Sequence, residues 1–168
     1  HLLQTQDPQA SAQMIESDDP ASQLRIARMH RLAGRDRDAE EIYQHLLKQQ
    51  TEDDQLWLEA GQLSDESGAD AQAIMRLEKA VSIGDQNRVA ALCALAQAHM
   101  HAGRFSTAGH HWWQVTRHEP THVAAWAGLL VCALHCDRPR IIKNARRNLE
   151  RQTSKVQRRE QLALMWQH

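Results

Sequence analysis

The sequence predicts an all-α fold made of repeated helix pairs, and three observations carry that reading. The first is composition. The 168 residues are 42% hydrophobic and 24% charged, with only 7 Gly and 4 Pro. Ala, Leu, Gln, Arg and Glu dominate, and these are good helix formers. The second is a period: Gly34, Gly68 and Gly103 are spaced 34 and 35 residues apart. The third is that the same kinds of residue recur around each of them. Ala39, Ala73 and Ala108 follow, then a large residue (Tyr43, Leu77, Trp112), then an apolar one (Leu46, Ala80, Val115). Before the glycines lie Gln23, Trp57 and Leu92, then a small residue in each unit: Ala27, Gly61 and Ala96.

Each position has a physical reason. Small residues let two helices approach closely. A large residue four positions after Ala lies on the same helix face and fills the gap to the neighbouring repeat. Gly supplies the positive φ that ends one helix and turns into the next. A Pro or Asp near the end of a unit stops the second helix, and Pro120 is the clearest case. Asp19-Pro20 reads as an N-cap followed by Pro at the first helical position.

This pattern resembles the tetratricopeptide repeat (TPR) family. Residues 20–53 match it through Ile26, Ala27, Gly34, Ala39 and Tyr43. Residues 54–88 match through Trp57, Gly61, Gly68, Ala73, Leu77 and Ala80, and residues 89–122 through Leu95, Ala96, Gly103, Ala108, Trp112 and Pro120. A degenerate fourth repeat, 123–155, keeps Trp126 and Leu129 but has Asp137 for the turn Gly, Ile142 near the expected Ala and Arg146 where a large apolar residue belongs. Asp tolerates the left-handed turn, and a polar outer face suits a terminal repeat. Its second helix is expected over about 139–152. Residues 156–168 then read as a separate capping helix with Leu162, Leu164, Met165 and Trp166 as packing residues. Residues 1–19 are a leader or the tail of a truncated preceding repeat. The start at His1 suggests a piece of something longer.

The resemblance implies a right-handed α-solenoid of stacked antiparallel helix pairs, with first helices lining a concave groove. In this chain the implied groove residues are Leu24, Arg28, Arg31 and Leu32, then Leu58, Gln62, Asp65 and Glu66. They continue with Cys93, Gln97, Met100 and His101, then Ala127, Val131, Leu134 and His135. The groove is expected to run from charged in the first two repeats to largely apolar in the last two. The Lys and Asn clamp with which one subfamily grips a chaperone's C-terminal carboxylate is absent, since Leu24, Leu58, Cys93, Arg28, Gln62 and Gln97 stand at its positions.

Little else suggests chemistry. The sequence has no phosphate-binding glycine motif and no HExxH. Of the 11 His, His30 and His99 fall at packing positions. His110 and His111 are adjacent and point different ways. His118 and His122 are separated by the helix breaker Pro120. His101 and His135, with Cys132 and Cys136 nearby, fall short of the four ligands zinc wants and read better as groove lining. Cys93, Cys132 and Cys136 lie in Ala/Leu-rich helix where burial blunts a thiol. The reading is therefore of a non-enzyme with no cofactor and no metal.

Charge is unevenly spread. The first half is acidic, while residues 138–159 carry nine Lys and Arg against one acid, Glu150. That basic stretch lacks the interleaved aromatics of single-strand binders and reads as a solvated face, so nucleic acid is not an expected partner. Trp113 is a candidate exposed contact. No run of about 18 apolar residues occurs, so membrane insertion is not expected. Three unpaired-looking Cys favour a reducing compartment such as the cytoplasm. The expected function is a protein-interaction scaffold that binds a peptide segment or a protein surface in the groove. Two alternatives are the non-catalytic TPR region of a larger enzyme, such as a sulfotransferase or glycosyltransferase, and a self-association module.

Overall fold

The structure, a computed structural model, describes residues 19–84 and 86–165, with side chains as far as Lys155. The described regular elements are helices: α1 (Pro20–Leu32), α2 (Asp36–Gln49), α3 (Asp54–Glu66), α4 (Asp70–Ile83), α5 (Arg88–His101), α6 (Phe105–His118), α7 (Val123–His135) and α8 (Pro139–Met165). They fall into two compact units, α1–α4 and α5–α8. Within each unit, every helix packs on the next one in sequence.

The four turns inside helix pairs share one geometry. Gly34, Gly68 and Gly103 have φ of 69°, 76° and 71°, and Asp137 takes the same region at 49°. A Cβ at any of the three glycines would meet nothing within 4 Å. Conformation alone therefore selects Gly there, because an L side chain strains the left-handed backbone. In each turn the next amide donates back across the end of the helix: Arg35 N to His30 O at 2.9 Å, Ala69 N to Ser64 O at 2.8 Å, Arg104 N to His99 O at 2.7 Å, and Arg138 N to Ala133 O at 2.9 Å. This bond satisfies a carbonyl the helix leaves open. The fourth repeat, degenerate in sequence, keeps the turn.

Helix starts are fixed just as locally. Asp19 Oδ2 accepts from Ser22 N at 3.0 Å, Asp53 Oδ1 from Leu56 N at 3.0 Å and His122 Nδ1 from Ala125 N at 3.1 Å. Each occupies an amide that the first turn leaves without a helical acceptor. Trp57 and Trp126 add a second tie. Their indole N–H groups donate to the carbonyls of Thr51 and Pro120, both at 2.9 Å.

Small residues mark the close approaches. Ala27, Ala39, Ala73, Ala96 and Ala108 are fully buried. A Cβ at Gly61 would lie 2.7 Å from Leu77 Cδ2, so α3 and α4 touch there backbone to side chain. The large residues Tyr43, Leu77 and Trp112 are buried as their repeat positions require. In the second unit Leu92, Leu95, Val115, Leu129 and Cys132 complete the core. Burying a side chain of the Leu or Val kind is worth about 1.5–3 kcal/mol.

The C-terminal end differs from expectation. Instead of a helix ending near Gln152 and a separate capping helix from 156, α8 runs unbroken from Pro139 to Met165. The reason is local: no Gly or Pro occurs between Arg140 and Met165 to stop it. Among the described side chains of α8 the one buried is Ala145, while Arg146 is exposed. The expected packing of Leu162, Leu164, Met165 and Trp166 lies outside the described side chains. The suggested truncated repeat before Asp19 lies outside the described residues.

Candidate functional site

The residues implied as groove-lining divide between the two units. In the first unit, Arg28, Arg31 and Gln62 line one open concavity together with Leu32, Gln55, Glu59 and Glu66. Its charges are already matched. Arg28 makes a two-pronged pair with Glu59, at 2.8 Å from Nε and 2.6 Å from Nη2. Arg31 pairs in the same way with Glu66, at 3.0 and 2.5 Å. Both pairs run from α1 to α3 and tie successive first helices together. Leu24 leans on the core instead, Leu58 is buried at 4% exposure, and Asp65 is half-buried outside the concavity.

Glu59 is the hub of this unit. It is buried, and besides Arg28 it accepts from Tyr43 Oη at 3.1 Å and Gln55 Nε2 at 2.6 Å. Burial by itself would raise the Glu59 carboxyl, but hydrogen bonds from Arg28 and Gln55 and the Arg28 charge hold it below the usual carboxylate value. The hydrogen bond to Glu59 in turn raises Arg28. Burial first, then the Glu59 charge, push the Tyr43 phenol upward.

In the second unit the grouping is tighter. Gln97, Met100, His101, Val131 and His135 line one concavity of about 520 Å³ with Phe105, Trp112, Ala124 and Gly128. Trp112 is 4% exposed, and its indole N–H donates to Met100 Sδ at 3.2 Å. Gly128 is there to admit it: a Cβ at that position would overlap the indole. Phe105 stacks on His135 with ring centroids 3.8 Å apart and planes 3° from parallel. Two implied residues stay outside. Leu134 is exposed but does not line the concavity. Cys93 is half-buried, with its Sγ 3.8 Å from His122 Nε2. Since His122 Nδ1 accepts from Ala125 N, neutral His122 carries its proton on Nε2 and donates it toward Cys93.

Sequence reasoning missed Glu59, Phe105, Trp112 and Gly128 as shapers of these surfaces. A signal existed for the charges. Arg28 and Glu59 are 31 residues apart, and Arg31 and Glu66 are 35. Opposite charges about one repeat apart on first helices are placed to meet. Nothing comparable marks Phe105 or Trp112, which come from a second helix.

The histidines and cysteines are placed structurally. His99 is buried at 4% exposure and stacks on His111 with centroids 5.4 Å apart. His30 Nδ1 lies 3.3 Å from Asp38 Oδ2. Burial pushes the Cys93 and Cys132 thiols up to about 11, which depletes the thiolate that nucleophilic chemistry needs. Among the described residues no three His, Cys, Asp or Glu side chains converge as a metal site. No described helix is long and apolar enough to cross a membrane.

No protein-family model matches the sequence, and no curated protein matches it. Solved structures do match. The chain is similar to MamA, with a TM-score of 0.77 at 15% identity, covering 88% of this chain and 86% of that one. It is similar to the nearly identical TPR-like repeats of a putative kinesin light chain from Podosopora anserina, at 0.73 and 19% over 90% and 85%. It is also similar to YrrB, described as a TPR protein with an unusual peptide-binding site, at 0.71 and 13% over 87% and 75%. At these identities the likeness fixes the fold. The chain is an all-α solenoid of tetratricopeptide-repeat type.

Proposed function

We propose that this tetratricopeptide-repeat array is a protein-interaction scaffold, and that its working surface is the first-helix groove of the second unit. The observation that carries this is the convergence of Gln97, Met100, His101, Val131 and His135 around the Trp112 floor. The groove offers an apolar base with a few polar groups, the composition of a peptide-binding cleft. The corresponding groove of the first unit is lined by Arg28–Glu59 and Arg31–Glu66, whose charges are spent on each other. Its role in this reading is to hold the repeats in register and leave the second unit to select the ligand. The peptide-binding site of YrrB, a neighbour in fold, supports the general mode.

The ligand is a peptide segment with an apolar stretch that lies on Met100 and Val131 and hydrogen-bonds Gln97. The test is selection of short random peptides on the purified protein, followed by affinity measurement on Val131→Glu and Gln97→Ala. Val131 is 39% exposed, so the charge is introduced at the surface and the fold should survive it. Loss of about tenfold or more in affinity on Val131→Glu is expected, since an unpaired charge would be buried by the ligand. Unchanged affinity in both variants would overturn the reading.

A further inference from the structure

A second concavity lies on the other side of α7, between α6 and α8, and shares only Phe105 with the lining of the groove described above. Its volume is about 350 Å³, at the lower end of the roughly 300–1,000 Å³ range of ligand pockets. Leu129 and Cys132 form its buried floor. Trp113 and Ile141 form opposite walls and remain 48% and 39% exposed. Arg138 stands at its edge. Monomeric proteins seldom leave a half-exposed Trp facing a half-exposed Ile across an apolar floor without a use for them.

The electrostatic setting is one-sided. No carboxylate lines the concavity. From residue 86 to 136 the sequence has a single acid, Glu119, and the nearest acid in sequence to Arg138 is the turn residue Asp137. The helix that supplies the wall is basic: Arg140, Lys143, Arg146, Arg147 and Arg151 are exposed, against one acid, Glu150, up to Lys155. The Arg117 guanidinium lies 5.6 Å from the centre of the Trp113 ring, and His110 stacks against the same indole with centroids 6.1 Å apart. The Trp113 faces are thus partly engaged, and what remains open is a side-chain-sized hollow and not a flat stacking platform. Single-stranded nucleic acid needs the platform; a bulky side chain needs the hollow.

We propose that this second groove docks an acidic peptide segment of a partner protein, inserting one bulky apolar residue between Trp113 and Ile141 while flanking carboxylates meet Arg138 and the basic face of α8. The apolar residue supplies the anchor, and the charges steer the encounter and set its direction. Apart from Phe105 this site has its own lining, so the array has two ligand surfaces of different chemistry.

The test selects short random peptides on the purified full chain and on three variants with helicity checked by circular dichroism. These are Arg138→Glu, Ile141→Asp and, as a control in the other groove, Val131→Glu. The wild type is expected to enrich peptides with Asp or Glu around a single Leu, Phe or Trp. Their affinity should fall about tenfold or more on Arg138→Glu and on Ile141→Asp, fall with added salt, and hold on Val131→Glu. Trp113→Ala provides a second, uncharged disruption of the same pocket and should weaken binding likewise. Absence of acidic enrichment, or affinity indifferent to Arg138→Glu, Ile141→Asp and Trp113→Ala alike, would overturn the proposal. So would tighter binding to a single-stranded oligonucleotide or an anionic phospholipid vesicle that survives Trp113→Ala, or self-association abolished by Ile141→Asp.

Discussion

Arg76 and Glu40 meet in a two-pronged ion pair inside the first unit, at 2.6 Å from Nη2 to Oε1 and 2.8 Å from Nη1 to Oε2. Arg76 is 3% exposed. Its Nη1 also donates to the Ala60 carbonyl at 3.1 Å and to Ser64 Oγ at 2.8 Å. Glu40 further accepts from Gln44 and Gln72. One guanidinium thus joins α2, α3 and α4.

Removing one partner should cost more than removing both. Glu40→Ala leaves a buried cation without its counter-charge. About 2–3 kcal/mol of stability should be lost, below the full figure for a buried pair because Glu40 is a quarter exposed. Glu40→Leu with Arg76→Met should recover much of it. Urea unfolding of the single and double variants measures the difference, and equal losses in both would refute the account.

The pH dependence has a definite sign. Burial alone would raise Glu40, but hydrogen bonds from Arg76 and Gln44 bring it below its ordinary value of 4.5. Glu59 is depressed below 4.5 by the same contest between burial and Arg28. A depressed carboxyl contributes stability that is complete above its unfolded value and disappears as pH falls through the folded one. The melting temperature should therefore hold steady above the 4.5 region and drop below it. Glu59→Gln should lower stability at neutral pH and flatten the acid slope. A slope identical to the parent would count against this role for Glu59.

At the fourth turn, Asp137 carries a strain that the glycines of the other three avoid. Asp137→Gly should stabilise by up to about 1 kcal/mol, and Gly68→Ala should destabilise by about 1–2 kcal/mol. Thermal melts of the two variants should move in opposite directions. The space around Gly68 is open, so any loss there comes from the backbone.

Gly128 tests the reverse case, where space decides. A Cβ there would overlap the Trp112 ring, so Gly128→Ala should cost about 1–3 kcal/mol by overpacking. Combining it with Trp112→Leu should recover part of the loss, measured as a non-additive double-mutant cycle. Strict additivity would place the strain elsewhere.

What the sequence determined by itself was local. Gly34, Gly68 and Gly103 announce left-handed turns because few other residues accept that backbone. Asp19, followed by Pro20, announces a helix start because a short oxygen-bearing side chain can reach the open amides. Repetition of these signals about every 34 residues is enough to specify stacked helix pairs. The run of α8 to Met165 was misread as two helices, although nothing in the stretch can break a helix. The tertiary structure decided what the side chains do once the pairs are stacked. Arg28, read as a ligand contact, is held by Glu59. Cys93, read as groove lining, lies beside His122. Trp112 and Gly128 shape one concavity, while Trp113, the next residue in the chain, faces another. Such choices depend on which faces of three helices meet, and adjacent residues on a helix point in directions about 100° apart.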